Sequence, residues 1–177
     1  MRAQAGLSCA VGGQMAGVFR QSLRENFDHA LRQLAEAIRD CPLDLWEADL
    51  WADEAPTTTD GRGAIRGSAP WLLAHHALVC MDYDLAGEFE RWNPPPPIGD
   101  SILGPDPTRV FSREDLLRYL DHCRSRVGNT LTAMTETAAG RPVPAPHRYQ
   151  GVVFGVLVGS IPPHVVEHAA QIRQFYR

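Results

Sequence analysis

Apolar residues recur at spacings of three and four along four segments of the chain, which is the period of an amphipathic α-helix. In the first segment, 17–40, these positions are Phe19, Leu23, Phe27, Leu31, Leu34 and Ile38. Pro42 follows closely, and proline cannot continue a helix, so we predict that this helix ends near Asp40. Residues 1–16 are predicted to be a flexible N-terminal tail, and 17–177 a single domain.

The second helix is predicted to begin near Ser68, a residue type that favours the N-cap, and to continue through Glu90. The stretch before it, 46–67, is rich in polar residues, Gly and Thr, and is predicted to be a loop with at most a short helical turn. Four consecutive prolines, Pro94–Pro97, end the second helix. From there to Val110 we predict a Pro-rich connector that cannot be helical.

The third helix is predicted to open at Ser112, because Asp115 follows three positions later as in a capping box. Its apolar positions continue to Ala139, and Gly140 is predicted to end it. Because the preceding connector is long, this helix need not run antiparallel to the second helix.

The last helical segment, 151–177, is apolar at first and amphipathic later. Pro162 and Pro163 lie inside it, so the helix either starts near Ser160 or is kinked there. No alternation typical of a strand persists anywhere in the chain. We therefore expect an all-α fold, a helix bundle with one long crossover between helices 2 and 3.

Composition and charge exclude several classes of function. The 177 residues are 44% hydrophobic and 21% charged, as in an ordinary globular domain. The formal net charge is −4 and no stretch gathers arginines into a dense patch, so we expect neither nucleic acid nor an anionic membrane as partner. All 17 basic residues are arginine, which removes lysine-based Schiff-base or nucleophilic chemistry.

The four cysteines form no CxxC pair and have no zinc-ligand spacing; they are Cys9, Cys41, Cys80 and Cys123. The weakly apolar stretch 3–18 lacks the solid apolar core of a signal peptide, and no segment reaches the length of a transmembrane helix. We therefore expect reduced thiols in a cytoplasmic protein.

His164 and His168 are the sharpest local signal for chemistry. Residues four apart on a helix lie about 40° apart around its axis and roughly 6 Å along it, so both imidazoles can reach one metal ion. Glu167 directly precedes His168 and points away from their shared face, so the pair does not form the HExxH motif of zinc proteases. The alternative is two histidines on a partly buried polar face.

His75 and His76 lie in the middle of the apolar second helix. A buried histidine must find a partner, because an unpaired polar group in the core is costly. The partner is either a hydrogen-bonding group of the core or a metal ion shared with the last helix. Adjacent residues differ by about 100° around a helix, so at most one of the two histidines faces such a site.

The second helix contains a tryptophan, four further residues, a histidine, an apolar stretch and an aspartate: Trp71, His76 and Asp82. The final segment 163–172 contains the pattern HxxxHxxQ. Both patterns, together with the opening of the third helix at 111–120, resemble the DinB-like superfamily. This superfamily comprises four-helix-bundle proteins grouped with the YfiT and bacillithiol-transferase-like metalloenzymes.

The resemblance covers about 19–176, nearly the whole chain. It implies an up-down-down-up four-helix bundle whose crossover is the Pro-rich connector. Carried over residue by residue, the metal triad of the family falls on His76, His164 and His168. The pair Pro162–Pro163 departs from the unbroken last helix that is usual in the family.

Three neutral imidazoles leave at least one metal position open, as in a catalytic site. Nitrogen ligands suit Zn, Ni, Fe or Cu; among divalent ions we favour Zn or Ni, with Fe or Mn as further candidates. The resemblance implies either transfer of a low-molecular-weight thiol to an electrophile or metal-assisted hydrolysis of a small-molecule substrate. The alternative is a non-catalytic, metal-binding stress-response module, and in either case we expect a homodimer.

Three residues near the predicted triad have two interpretations each. Gln171, one turn beyond His168, either contacts the metal ligands or substrate, or hydrogen-bonds a neighbouring helix. Asp82 lies on a different part of the helix face from His76, which favours a structural role. Cys80, four residues after His76, either lines the pocket, even as a fourth ligand, or is a buried structural thiol.

The other histidines and a glycine repeat have more ordinary interpretations. His29 and His122 occupy polar helix positions and are predicted to be solvated. His147 approaches the site only if its loop folds over it. A repeat of glycine every fourth residue predicts close packing against a neighbouring helix or a dimer contact; it consists of Gly151, Gly155 and Gly159.

Overall fold

The computed structural model describes residues 5–49, 68–86, 92–100, 110–143 and 150–176, of which 5–16 and Asp100 are described by backbone alone. Residues 1–4 and the side chains of 5–16 lie outside this set. Most of the predicted 46–67 loop, the end of the second helix at Glu90 and the loop with His147 also lie outside it.

The described residues are mostly α-helical, which confirms the all-α prediction. The helices are α1 (Ala5–Asp40), α2 (Pro70–Ala86), α3 (Arg113–Ala133), α4 (Glu136–Ala139), α5 (Val153–Gly159) and α6 (Ile161–Arg173). Two short 3-10 helices lie between these elements, one at Leu43–Leu45 after α1 and one at Ile98–Asp100 after α2. The second is within the connector that the sequence predicts to be non-helical. No strand forms in the described segments, where one antiparallel bridge joins Pro142 to Val152.

Helix α1 ends at Asp40, as Pro42 predicts, but begins at Ala5 rather than Gly17.

Helix α3 begins as the sequence predicts and ends earlier. Ser112 accepts a hydrogen bond from the Asp115 N–H while the Asp115 carboxylate accepts one from the Ser112 N–H, which is a complete capping box. The predicted continuation to Ala139 is wrong, because Met134 is extended and Thr135 caps a separate helix, α4. The Thr135 hydroxyl accepts a hydrogen bond from Ala138 N–H at 3.1 Å, and this local bond competes with the helix ladder.

The last helical segment is broken at Ser160, which resolves the two alternatives for this segment. Ser160 has φ −122° and ψ −52°, and it separates α5 from α6. Pro162 and Pro163 follow in the first turn of α6, where a backbone N–H has no intrahelical partner and its loss costs little.

Helix α1 packs against α3 and α6, and α2 packs against the same two helices. The apolar stripes predicted for these helices form the shared core. Phe19 is an exception, since its side chain is 55% exposed and lies beyond the packed part of α1. Fully buried members of the core include Phe27, Leu31, Leu34, Ile38, Leu78, Met81, Leu116, Leu120 and Leu131.

Specific contacts give the directions of α1 and α3. The Arg113 guanidinium, at the start of α3, donates to the Cys41 carbonyl just after the end of α1. At the opposite end, Arg20 of α1 donates to the Met134 carbonyl at 3.2 Å. The two helices therefore run antiparallel.

Helix α6 runs in the same direction as α1. Its last residue, Arg173, is buried and donates to the backbone carbonyl of Gln33 at 2.6 Å and to the Glu36 carboxylate at 3.0 Å. The Tyr176 hydroxyl donates to the Ala37 carbonyl at 3.0 Å. The carboxyl-terminal ends of the two helices thus lie together.

Helices α2 and α3 also run in the same direction. Phe111, which precedes α3, contacts Trp71 in the first turn of α2, with ring centroids 6.2 Å apart. Further along both helices, the Tyr119 hydroxyl donates to the Asp82 carboxylate at 3.0 Å.

Candidate metal centre

Helices α2 and α6 bring together the three predicted histidines. Each of His76, His164 and His168 offers one ring nitrogen, and these nitrogens all lie within 4.8 Å of one another. The ring centroid of His76 lies 5.2 Å from that of His164 and 5.1 Å from that of His168. His168 is buried, and the other two histidines are half-buried. Three imidazoles in this arrangement could hold a metal ion.

The helical register of α6 aligns His164 with His168. The Nε2 atoms of His164 and His168 lie 3.0 Å apart. Two nitrogens on a tetrahedral zinc ion, with Zn–N bonds of 2.0–2.1 Å, are about 3.3 Å apart. The pair is therefore already close to the separation that a shared ion requires. Glu167 between them is exposed, in agreement with its predicted orientation.

Gln171 determines which nitrogen of His168 can bind a metal. The Oε1 atom of Gln171 lies 2.7 Å from Nδ1 of His168, and an amide oxygen can only accept a hydrogen bond. Nδ1 therefore carries the proton, and Nε2, which faces His164, presents its lone pair. Histidine ligands of metals commonly donate their second N–H to such an acceptor. Of the two interpretations offered for Gln171, this contact favours the one at the ligands.

The two adjacent histidines of α2 point to different surroundings, as the helical geometry predicts. His76 faces α6. His75 is 1% exposed and stacks on Phe111, with ring centroids 4.9 Å apart and planes 7° apart. Its Nε2 has no hydrogen-bond partner in the described part of the chain, and burial lowers the pKa of His75 to about 4. His75 is therefore a neutral core residue.

Cys80 lies beside the cluster, one turn after His76. Its sulfur is 3.6 Å from Nε2 and 3.7 Å from Nδ1 of that histidine. The side chain is half-buried, whereas Cys41 and Cys123 are buried in the core. The Cys80 thiol is therefore half-buried rather than buried in the core, and it lies beside the candidate centre.

Asp82 belongs to a separate polar cluster and has the structural environment that its position predicts. Its carboxylate is fully buried and accepts hydrogen bonds from Trp92 Nε1 at 2.9 Å and from the Tyr119 hydroxyl at 3.0 Å. Arg126 of α3 forms an ion pair with it. The sequence gives no signal for Arg126, because an arginine on a polar helix face is normally solvated.

His122 is less solvated than its position predicts. It stacks on Tyr119, and its Nε2 lies 3.5 Å from Asp82 Oδ1. His122 therefore lies against the Asp82 cluster although it belongs to the polar face of α3. His29, by contrast, is exposed on α1, as predicted.

The glycine repeat around α5 does not form the predicted helix packing. Apart from the adjacent residues and nearby backbone of α5 itself, no described atom lies within 4 Å of the position that a Cβ would take at Gly155 or Gly159. Gly151 has another requirement: its φ of +115° belongs to a conformation that residues with a side chain rarely adopt.

No protein-family model, curated protein or solved structure matches the chain. The resemblance to the DinB-like superfamily therefore rests on the motifs alone. In the parts of the chain that the structure describes, no helix combines the length and apolar character needed to cross a membrane.

Proposed function

We propose that the chain is a DinB-like four-helix bundle built from α1, α2, α3 and α6. Support comes from the pairing of α1 and α2 with the same two partners, α3 and α6. The directions inferred from end-to-end contacts also agree with an up-down-down-up order in which α2 and α3 run parallel. Parallel neighbours need a long connection, and the Pro-rich connector supplies one.

We further propose that His76, His164 and His168 bind one divalent metal ion, with Zn or Ni favoured over Fe or Mn. The observation that carries this proposal is the convergence of three ring nitrogens within 4.8 Å from two helices. The hydrogen bond from His168 to Gln171 adds support, because it leaves a lone pair on the converging nitrogen. All three groups are imidazoles, and neutral imidazoles are ligands for these metals.

The proposed reaction is transfer of a small thiol to an electrophile, or hydrolysis of a small substrate. When bound, the metal would act as a Lewis acid that lowers the pKa of a thiol or water. The chain's own contribution is to hold three imidazoles on rigid helices and to fix the orientation of His168 through Gln171. Within this proposal the protein works in the cytoplasm as a homodimer, with a small molecule as its substrate.

The alternative is a non-catalytic, metal-binding stress-response module. The position of Cys80 favours it, because a sulfur 3.6 Å from a ligating imidazole is close enough to compete for an open metal position. A site filled by protein ligands binds metal without offering a position to substrate.

Elemental analysis of the purified protein tests the metal proposal. We expect about one divalent ion per chain, lost in His76→Ala and in His164→Ala. His29→Ala is the matched control, because His29 is exposed on α1 and should leave the metal content unchanged. Absence of stoichiometric metal from the wild type, even after incubation with zinc or nickel, would refute the proposal.

Turnover assays separate the two functions. The metal-loaded protein is incubated with monochlorobimane and several small thiols, and with ester substrates. Metal-dependent product formation that is lost in His164→Ala supports the enzyme. Tight metal binding without turnover of any thiol or ester supports the binding module.

A further inference from the structure

The position of Cys80 on α2 matches that of a metal ligand. It lies four residues after His76, so both side chains project from the same face of the helix. The sulfur is half-buried at the histidine cluster, whereas the Cys41 and Cys123 side chains are 1% and 0% exposed within the core. The chain thus places one of its described thiols at its one described cluster of three imidazoles.

The sulfur lies next to the imidazole of His76. The Sγ atom of Cys80 is 3.6 Å from Nε2 and 3.7 Å from Nδ1 of His76, so it lies over the face of the ring and off the lone-pair axis of either nitrogen. The set of atoms within 4.8 Å of one another contains only the three nitrogens, so a change of the Cys80 χ1 rotamer is needed to bring the sulfur onto their common ion.

We propose that Cys80 is the fourth protein ligand of the metal in the resting protein, completing a His3Cys site. The inference rests on the proposed three-histidine centre. As the sulfur–metal bond forms, the thiol proton passes to solvent, and nothing is oxidised or reduced. A thiolate ligand selects ions such as zinc over magnesium or calcium. It also makes the open position conditional, since a substrate must displace the Cys80 sulfur.

Cobalt(II) is the probe for this ligand, because it occupies zinc sites and its absorption spectrum reports sulfur ligation. The full-length protein is freed of metal with a chelator and titrated with Co(II). We expect one equivalent to bind, with a sulfur-to-cobalt charge-transfer band in the near ultraviolet. C80S should still bind one equivalent but lose this band, and C123S should retain it as the matched control.

Two results overturn the proposal in different ways. One equivalent of cobalt bound without the charge-transfer band would exclude Cys80 as a ligand while leaving the three-histidine centre intact. Failure of wild-type protein to bind cobalt would overturn both. A second measurement does not depend on the folding of a variant: bound zinc should slow alkylation of Cys80 by iodoacetamide several-fold, and an unchanged rate would contradict ligation.

Discussion

The hydrogen bond between His168 and Gln171 is the smallest feature on which the proposed centre depends. We predict that Gln171→Leu weakens metal binding about 10–100-fold, because the His168 ring loses the acceptor that fixes its orientation and tautomer. Competition with a chromophoric chelator measures the affinity. Gln174→Leu is the control, since Gln174 is exposed after the end of α6. Equal affinities for the two variants would show that Gln171 does not support the ligand.

His75 predicts a pH dependence of stability. Its pKa falls from 6.5 to about 4 in the folded protein, because burial disfavours the charged ring. The unfolded chain therefore binds more protons between these values, so stability present above pH 6.5 is lost as the pH falls towards 4. At pH 5 the loss from this residue is about 2 kcal/mol.

The variant His75→Phe isolates this effect, because it keeps an aromatic ring against Phe111 and removes the titrating group. We expect the fall in the free energy of unfolding between pH 7 and pH 5 to be about 2 kcal/mol smaller in the variant. Urea unfolding in the presence of chelator measures it without a contribution from metal. Parallel pH profiles for the two proteins would contradict the assignment of His75 as a buried neutral residue.

At the scale of single residues, the sequence predicts part of the candidate site. The spacing of His164 and His168 fixes their common face from helix geometry alone. The choice of His76 over His75 required the family pattern, since physics states only that one of two adjacent residues can face a given side. The half-buried position of Cys80 could not be predicted, because it depends on how close α6 approaches α2.

At the scale of elements, Asp82 links α2, α3 and the connector that follows α2. Its buried carboxylate is held by Arg126, Tyr119 and Trp92. We predict that Asp82→Asn destabilises the fold by about 3 kcal/mol, because Arg126 loses its charge partner in a buried site. Thermal or urea unfolding measures the change.

Asp121→Asn is the matched control for this prediction, since its side chain is 71% exposed on α3 and its ion pair with Arg124 is worth little. Its effect should remain within about 0.5 kcal/mol. Equal stabilities for the two variants would show that the Asp82 cluster does not hold the elements together.

The element boundaries show where local patterns suffice. Ser112 with Asp115, and Pro42, set the start of α3 and the end of α1 as predicted, because capping and proline act within one turn. The break at Met134–Thr135 was missed, since the apolar period continues through it while the Thr135 hydroxyl caps a new helix. At Ser160 the sequence left two options, because proline is compatible with both a kink and a first turn.

At the scale of the molecule, hydrophobic periodicity alone is sufficient to predict the all-α class, while the order of the helices in space depends on contacts between distant residues. Arg113 with Cys41 and Arg173 with Gln33 supply such contacts, and no local pattern predicts them. The proposed bundle matters for function because it brings His76 next to residues that lie far away in the sequence. A metal centre assembled this way joins α2 to α6, so bound metal should stabilise the whole domain.

X-ray absorption spectroscopy of the zinc-loaded protein tests the central claim most directly, because it counts the ligands of the ion itself. We predict three imidazoles at about 2.0–2.1 Å from the zinc in the wild type. A first shell with fewer than three imidazoles would contradict the three-histidine centre.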